Sequence, residues 1–207
     1  MKRRILWCIL CVCLASTSLF AQEPALLSRV HDTEACRKWV DGQMEKMTLK
    51  QKVGQLFIYT LQPVTNQYSK NVLRKMVDDY GVGGLLFTGG ELRKQVQMTN
   101  YAQAHASVPL MVTFDGEWGL GMRLKDTPSF PYNRVLGCIQ NDSLLYEYGK
   151  EVARQCRLIG VQINFAPVAD VDNNPNNPVI NFRSFGSDPK RVAEKVAAYV
   201  KGLEDNG

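Results

Sequence analysis

Histidine is nearly missing from this chain: His31 and His105 are the only two in 207 residues, and they share no motif. That scarcity excludes a Ser-His-Asp or Cys-His nucleophile set and any zinc site of recognisable ligand spacing. There is no CxxC pair, no GxGxxG opening a helix, and no Lys-Ser/Thr after a glycine loop. The pairs Gly83-Gly84 and Gly89-Gly90 therefore read as close backbone packing or tight turns rather than a phosphate cradle. Long apolar runs are missing too, apart from Ile5 to Phe20, which falls short of the roughly 20 residues a membrane helix needs. No metal or cofactor is expected. If this chain does chemistry, carboxylates and arginines carry it.

What is present is ordinary globular material: 45% hydrophobic and 22% charged residues, enough for one domain with a real core. The net charge of +5 is mostly an N-terminal feature. Lys2, Arg3 and Arg4 precede the apolar run, and Ala21 closes it, the pattern of a secretory signal over residues 1–21. Taking those three cations from the 25 basic residues leaves 22 against 20 acidic, a charge of +2, and no case for nucleic-acid binding. The expected location is periplasmic or extracellular, with no transmembrane segment once the signal is removed. Cys8, Cys11 and Cys13 leave with the signal. Cys36, Cys138 and Cys156 remain and read as buried apolar thiols, with a Cys138–Cys156 bridge open in an oxidising compartment.

Residues 22–47 form a polar leader and a helix with Trp39, Val40, Met44 and Met47 at helical spacing. Thr48-Leu49-Lys50-Gln51 has the form of a capping box for a short helix stopping near Gly54. Apolar strands are then expected at 54–60, 82–87, 109–115 and 161–167. Helices intervene: one capped by Ser69 with Val72, Leu73, Met76, Val77 and Tyr80 inward, one over 91–106, and one from Asn141-Asp142-Ser143 with Leu144, Tyr148, Val152 and Cys156 on one stripe. A last helix starts at Asp188-Pro189, with Val192, Val196, Tyr199, Val200 and Leu203 inward. Alternating strands and helices of this kind give an α/β fold with a covered parallel sheet. Long irregular loops are expected at 116–140 and 168–187, after strand C-terminal ends, where such sheets and barrels bind ligands.

The acidic candidates lie there. Asp115 and Glu117 sit two residues apart, with Cβ atoms about 7 Å apart if extended, compatible with a glycosidase carboxylate pair. The alternative has Glu117 capping or pairing with an arginine while Asp115 alone faces the cleft. Asp170 and Asp172 share that spacing, but in an Asn- and Pro-rich loop whose carboxylates can simply bond their own backbone. Arg123 and Arg183, inside the two loops, are either solvated or binding. Trp118 can stack on a sugar ring or be buried.

These segments resemble the N-terminal domain of glycoside hydrolase family 3. The resemblance rests on Met47 to Leu56 (MTLKQKVGQL), on FDGEWG at 114–119 followed by Arg123, on NFAPVADV at 164–171 and on RSFG at 183–186. It runs over about residues 45–207, assigned here as a partial barrel domain over 48–207, and is nearest the β-N-acetylglucosaminidase branch. It implies a (β/α)₈ barrel of which about four βα units lie here, and retaining hydrolysis of a terminal β-linked sugar without metal or cofactor. By position it implies that Asp115, Arg123 and Arg183 bind sugar hydroxyls. The family's usual Asp-x-Glu-Gly-Gly-Arg is altered at Trp118 and Leu120. The proton-transfer dyad and the nucleophile fall beyond residue 207, so no catalytic residue is expected in this chain and, taken alone, it is expected to be inactive. The carbohydrate implied is a GlcNAc-containing glycan or peptidoglycan fragment. The alternatives are a family 3 β-glucosidase fragment and a non-catalytic, sugar-binding or dimerising half-barrel whose fourth strand presents Val161, Ile163 and Phe165 at an edge.

Overall fold

The computed structural model describes residues 33–206. The expected signal, the leader at 22–32 and His31 lie outside the described residues. In chain order the elements are α1 (Thr33–Lys46), α2 (Leu49–Gly54), β1 (Ile58–Leu61), α3 (Gln67–Asp78), β2 (Gly84–Phe87), α4 (Leu92–His105), β3 (Met111–Phe114), α5 (Asn133–Leu136), α6 (Ser143–Leu158), β4 (Ile163–Asn164) and α7 (Pro189–Glu204). Single 3-10 turns fall at Leu120–Met122 and Asn181–Arg183.

The four strands form one parallel sheet in the order β1-β2-β3-β4. Register is in step across it. Leu61 pairs with Phe87, Phe87 with Phe114, and Phe114 with Asn164, so the strand C-terminal ends finish on one level. Every residue that follows those ends enters the same rim, which is how the topology gathers the loops.

Local chemistry sets the boundaries. Thr48 and Gln51 form the expected reciprocal capping box, and the chain then stays helical through Gly54. The first strand therefore starts at Ile58 rather than Gly54. Helix α3 is capped by Asn66, whose side chain accepts from the Ser69 amide, so Ser69 is the receiver of the cap and not its source. Asp188 caps α7 with Pro189 in the first turn, as its sequence predicts. Asp142 does not cap α6: Asn141 Oδ1 accepts the Ser143 amide at 3.1 Å, which frees the Asp142 carboxylate for Lys195.

The core is the sheet and the inner faces of the helices. Leu85, Phe87, Val112 and Phe114 are fully buried, in one cluster with Leu73, Met98, Leu145 and Val152 of the helices. Each such side chain contributes roughly 1.5–3 kcal/mol. On α6 the inward residue is Leu145 and not Leu144, which is exposed. Helices α6 and α7 touch through glycine: a Cβ on Gly149 would come within 2.2 Å of the Tyr199 carbonyl. On α7, Lys195 reaches the core side with 1% exposure and donates to Asp142 and to the Ile139 carbonyl.

Several expectations are corrected. Trp39, Val40 and Met44 of α1 are exposed, because no described element packs on that stripe. The fourth strand shrinks to Ile163–Asn164, since only β3 offers it a ladder. Val161 is buried in the core instead of lying at an edge, while Phe165 is exposed. Among the described cysteines only Cys156 is buried. Cys36 lies on exposed α1 and Cys138 on the turn after α5, and all three are free thiols. Burial pushes the Cys156 thiol up to about 11.

Candidate functional site

Asp115 is the first residue after β3, at the level where the strands end. Asn164 of β4 fixes the backbone beyond it: its Oδ1 accepts the Gly116 amide at 2.8 Å and its Nδ2 donates to the Gly116 carbonyl at 3.4 Å. Tyr148 of α6 then donates its hydroxyl to the Glu117 carbonyl at 2.9 Å. Burial is the main reason that the Tyr148 phenol is pushed above its ordinary pKa, so it remains a donor. Gly119, at φ 77°, turns the chain into the 3-10 turn that brings Arg123 back.

Two carboxylate–guanidinium pairs result, and they differ. Arg123 Nη2 meets Asp115 Oδ2 at 2.5 Å in a single contact, with exposures of 29% and 28%. Arg183 grips Glu117 with Nε at 3.0 and 3.1 Å from its two oxygens and Nη2 at 2.7 Å. Glu117 is 3% exposed against 31% for Arg183. Of the two readings left open for these acids, the structure takes the second: Glu117 is held by an arginine and does not stand beside Asp115 as a free catalytic partner. Asp115 is not alone either, since Arg123 is on it. The hydrogen bonds it donates to Glu117 are the leading reason that the Arg183 guanidinium sits above its ordinary pKa, and the charges of Asp170 and Asp115 add to it.

The second long loop is held just as firmly. Ser184, fully buried, donates its hydroxyl to the Asp170 carbonyl at 2.6 Å and accepts the Gly186 amide at 3.2 Å. Asn133 at the start of α5 donates to the Arg183 carbonyl at 2.7 Å. Arg134 binds the Asp172 carboxylate and donates to the Asn181 carbonyl at 3.1 Å. Asp172 thus holds the loop through another segment's arginine rather than through its own backbone. Its structural reading stands by a different bond. Trp118 is half-buried, edge-on to Tyr132 at 4.8 Å between ring centroids, and Tyr132 lies 4.5 Å from Phe182.

The three residues singled out from sequence, Asp115, Arg123 and Arg183, thus meet on one rim. Sequence reasoning missed Asn133 and Arg134, which hold that rim. It placed Tyr148 on the inward stripe of its helix and Ser184 in the RSFG motif without giving either its bond, while Asn164 stood out as a polar residue inside an apolar strand. Gly90 shows why its pair is glycine: φ is 133° and a Cβ would lie 2.4 Å from the Pro63 ring. Among the described residues no group of three or more His, Cys, Asp or Glu side chains is placed to hold a metal ion. No described helix is long and apolar enough to cross a membrane. Chemically, this rim offers acceptors and guanidinium donors in a fixed array, suited to a ligand rich in hydroxyl groups.

Residues 48–207 match the family model described as the glycosyl hydrolase family 3 N terminal domain. The chain belongs to glycosyl hydrolase family 3. It is 31% identical over 148 residues to "Beta-hexosaminidase A" of Pseudoalteromonas piscicida, covering 65% of this chain and 25% of that protein. It is 27% identical over 169 residues to "Beta-N-acetylglucosaminidase/beta-glucosidase" of Cellulomonas fimi, covering 82% of this chain and 29% of that one. Among solved structures, a family 3 β-N-acetylglucosaminidase from a Paenibacillus species superimposes with a TM-score of 0.69 at 32% identity. That match covers 77% of this chain and 31% of the other. The chain spans about a quarter to a third of the length of these relatives. Its four βα units, in consecutive order, are the N-terminal half-barrel of a family 3 domain.

Proposed function

We propose that this chain is the sugar-gripping part of a secreted retaining glycosidase that removes terminal β-linked N-acetylglucosamine, and that Asp115, Arg123 and Arg183 bind the sugar's hydroxyls. The observation that carries this reading is the open pair: Asp115 and Arg123 meet through one contact at a partly exposed rim, beside a guanidinium anchored by a buried glutamate. A pair held by one contact can exchange it for hydroxyl groups at small cost, because each ligand bond to a charged group contributes about 1.5–3 kcal/mol. The names of the relatives support N-acetylglucosamine as the sugar. The double name of the Cellulomonas fimi relative favours a second reading, in which the terminal sugar is glucose.

The proton donor and the nucleophile of double displacement belong, on this reading, to polypeptide outside these 207 residues. Glu117 is spoken for by Arg183, and Asp172 by Arg134, so neither is placed to attack an anomeric carbon. Secretion through a signal at residues 1–21 completes the proposal. Titration calorimetry tests it. N-Acetylglucosamine binds the wild-type chain saturably, Asp115→Asn weakens it at least tenfold, and neither chain releases the chromophore of a nitrophenyl N-acetylglucosaminide. Turnover lost in Asp115→Asn overturns the division of labour, and tighter binding of glucose than of N-acetylglucosamine moves the substrate to the second reading.

A further inference from the structure

Two tyrosine rings from different helices stand together beside the loop that follows Asp115. Tyr148 of α6 and Tyr199 of α7 are 5.0 Å apart between ring centroids, at 42°. Helix α7 can come this close because Gly202 lacks a side chain: a Cβ there would lie 2.1 Å from the Tyr146 carbonyl. Tyr199 is 0% exposed, and its hydroxyl completes no hydrogen bond of ordinary length. A buried hydroxyl without a partner is costly, and phenylalanine would fill the same place without that cost. The oxygen calls for a use.

Its neighbours supply one. The Asn164 amide lies flush against the loop, since a Cβ on Gly116 would stand 3.2 Å from its Oδ1 and 3.4 Å from its Nδ2. Oδ1 accepts the Gly116 amide at 2.8 Å, whereas Nδ2 reaches the Gly116 carbonyl only at 3.4 Å and has a second proton to donate. Tyr148 gives its own proton to the Glu117 carbonyl at 2.9 Å, so its oxygen can only accept. Between the two, the Tyr199 hydroxyl fits in one direction, accepting from Asn164 Nδ2 and donating to the Tyr148 oxygen. Burial is the main reason that both phenols are pushed above their ordinary pKa. Against it, Tyr199 draws Tyr148 down and Asn164 draws Tyr199 down, as a donor to each oxygen does.

We propose that Tyr199 is a positioning residue for Asp115, the link that joins Asn164 and Tyr148 into one brace across Gly116 and Glu117. Asn164 holds the first residue after Asp115 and Tyr148 holds the second. The Tyr199 hydroxyl makes the two act together, and the Asp115 carboxylate keeps the direction in which it meets Arg123. The effect on sugar affinity rests on the sugar-binding reading above, while the brace itself is independent of it. One hydrogen bond of this kind is a factor of about five in an equilibrium constant.

The test is Tyr199→Phe in the whole chain, which removes the oxygen and keeps the ring. Hydrogen exchange read by NMR needs no ligand: the Gly116 amide exchanges about fivefold faster than in wild type, while the amides of β2 and β3 exchange as before. Tyr148→Phe gives the same acceleration from the other side of the link. The double variant adds nothing to either single change, because all three break one brace. N-Acetylglucosamine then binds Tyr199→Phe about fivefold more weakly at an unchanged urea midpoint, whereas a merely structural hydroxyl would move the midpoint and leave the affinity alone. Exchange at Gly116 that stays as in wild type, or that rises together with every amide of the sheet, overturns the proposal. So does sugar affinity unchanged in Tyr199→Phe. If wild type binds no sugar, the sugar-binding reading fails, and exchange at Gly116 still decides for or against Tyr199.

Discussion

The rim above β3 and β4 and the flank beside β1 are built on opposite plans. On the rim, side chains from α5, α6, β4 and both long loops cross-link one another, and its acids Asp115, Glu117 and Asp172 are each held by an arginine. On the flank, Leu56 is exposed, and Leu49, Phe57 and Ile58 are exposed around an apolar groove of about 620 Å³ that Met76 and Tyr80 also line. The rim's order comes from bonds within itself. Affinity for a ligand depends on such preorganisation, because groups already held lose little freedom on binding.

If that contrast is right, perturbing the rim costs most. Arg183→Ala leaves the buried Glu117 carboxylate without its cation and lowers stability by about 3 kcal/mol in urea unfolding, the low end for such losses because Arg183 is itself 31% exposed. Adding Glu117→Gln to that variant recovers part of the loss. An unchanged urea midpoint breaks the comparison. Beneath the rim, the burial that raises Cys156 from 9.0 to about 11 favours its neutral thiol in the fold. The folded state then holds that proton more tightly than the unfolded chain, so the contribution is full below about pH 9 and is lost as pH climbs toward 11. The loss is about 2 kcal/mol, and Cys156→Ala flattens that part of the stability profile. At pH 8, iodoacetamide modifies Cys36 and Cys138 in the folded chain and spares Cys156.

Smaller effects sharpen the contrast. Arg123→Ala lowers stability by less than about 1 kcal/mol, since both partners are near the surface, yet it removes sugar binding. On the flank, Leu56→Glu at an exposed position changes stability by no more than about 0.5 kcal/mol. A loss comparable to that of Arg183→Ala would make the flank as integral as the rim.

Much of this was legible from the residues alone. Four βα units followed from apolar runs alternating with capped helices, because burial on both faces of a parallel sheet leaves a plain signature. Asp115 was expected as the last residue of the third strand, and the ladder ends one residue earlier at Phe114, which leaves Asp115 at that same strand end. What sequence could not show was who holds whom. Glu117 and Arg183 are far apart in the chain, and nothing local says that they bond rather than face solvent. Arg134 fell inside a stretch expected to be an irregular loop, and the short helix Asn133–Leu136 that carries it gave no signal of its own. The Leu144-for-Leu145 slip and the Ser69-for-Asn66 slip share a cause: several adjacent residues satisfy the same local rule, and tertiary packing picks one. Trp39 and Val40 failed because a helical stripe states what a helix can bury and not whether a partner is there.

A crystal structure of the chain with N-acetylglucosamine tests the central claim most directly. The account predicts the sugar on the rim, its hydroxyls within about 3 Å of Asp115, Arg123 and Arg183. A sugar lodged in the apolar groove beside β1, with the Asp115–Arg123 contact untouched, contradicts it.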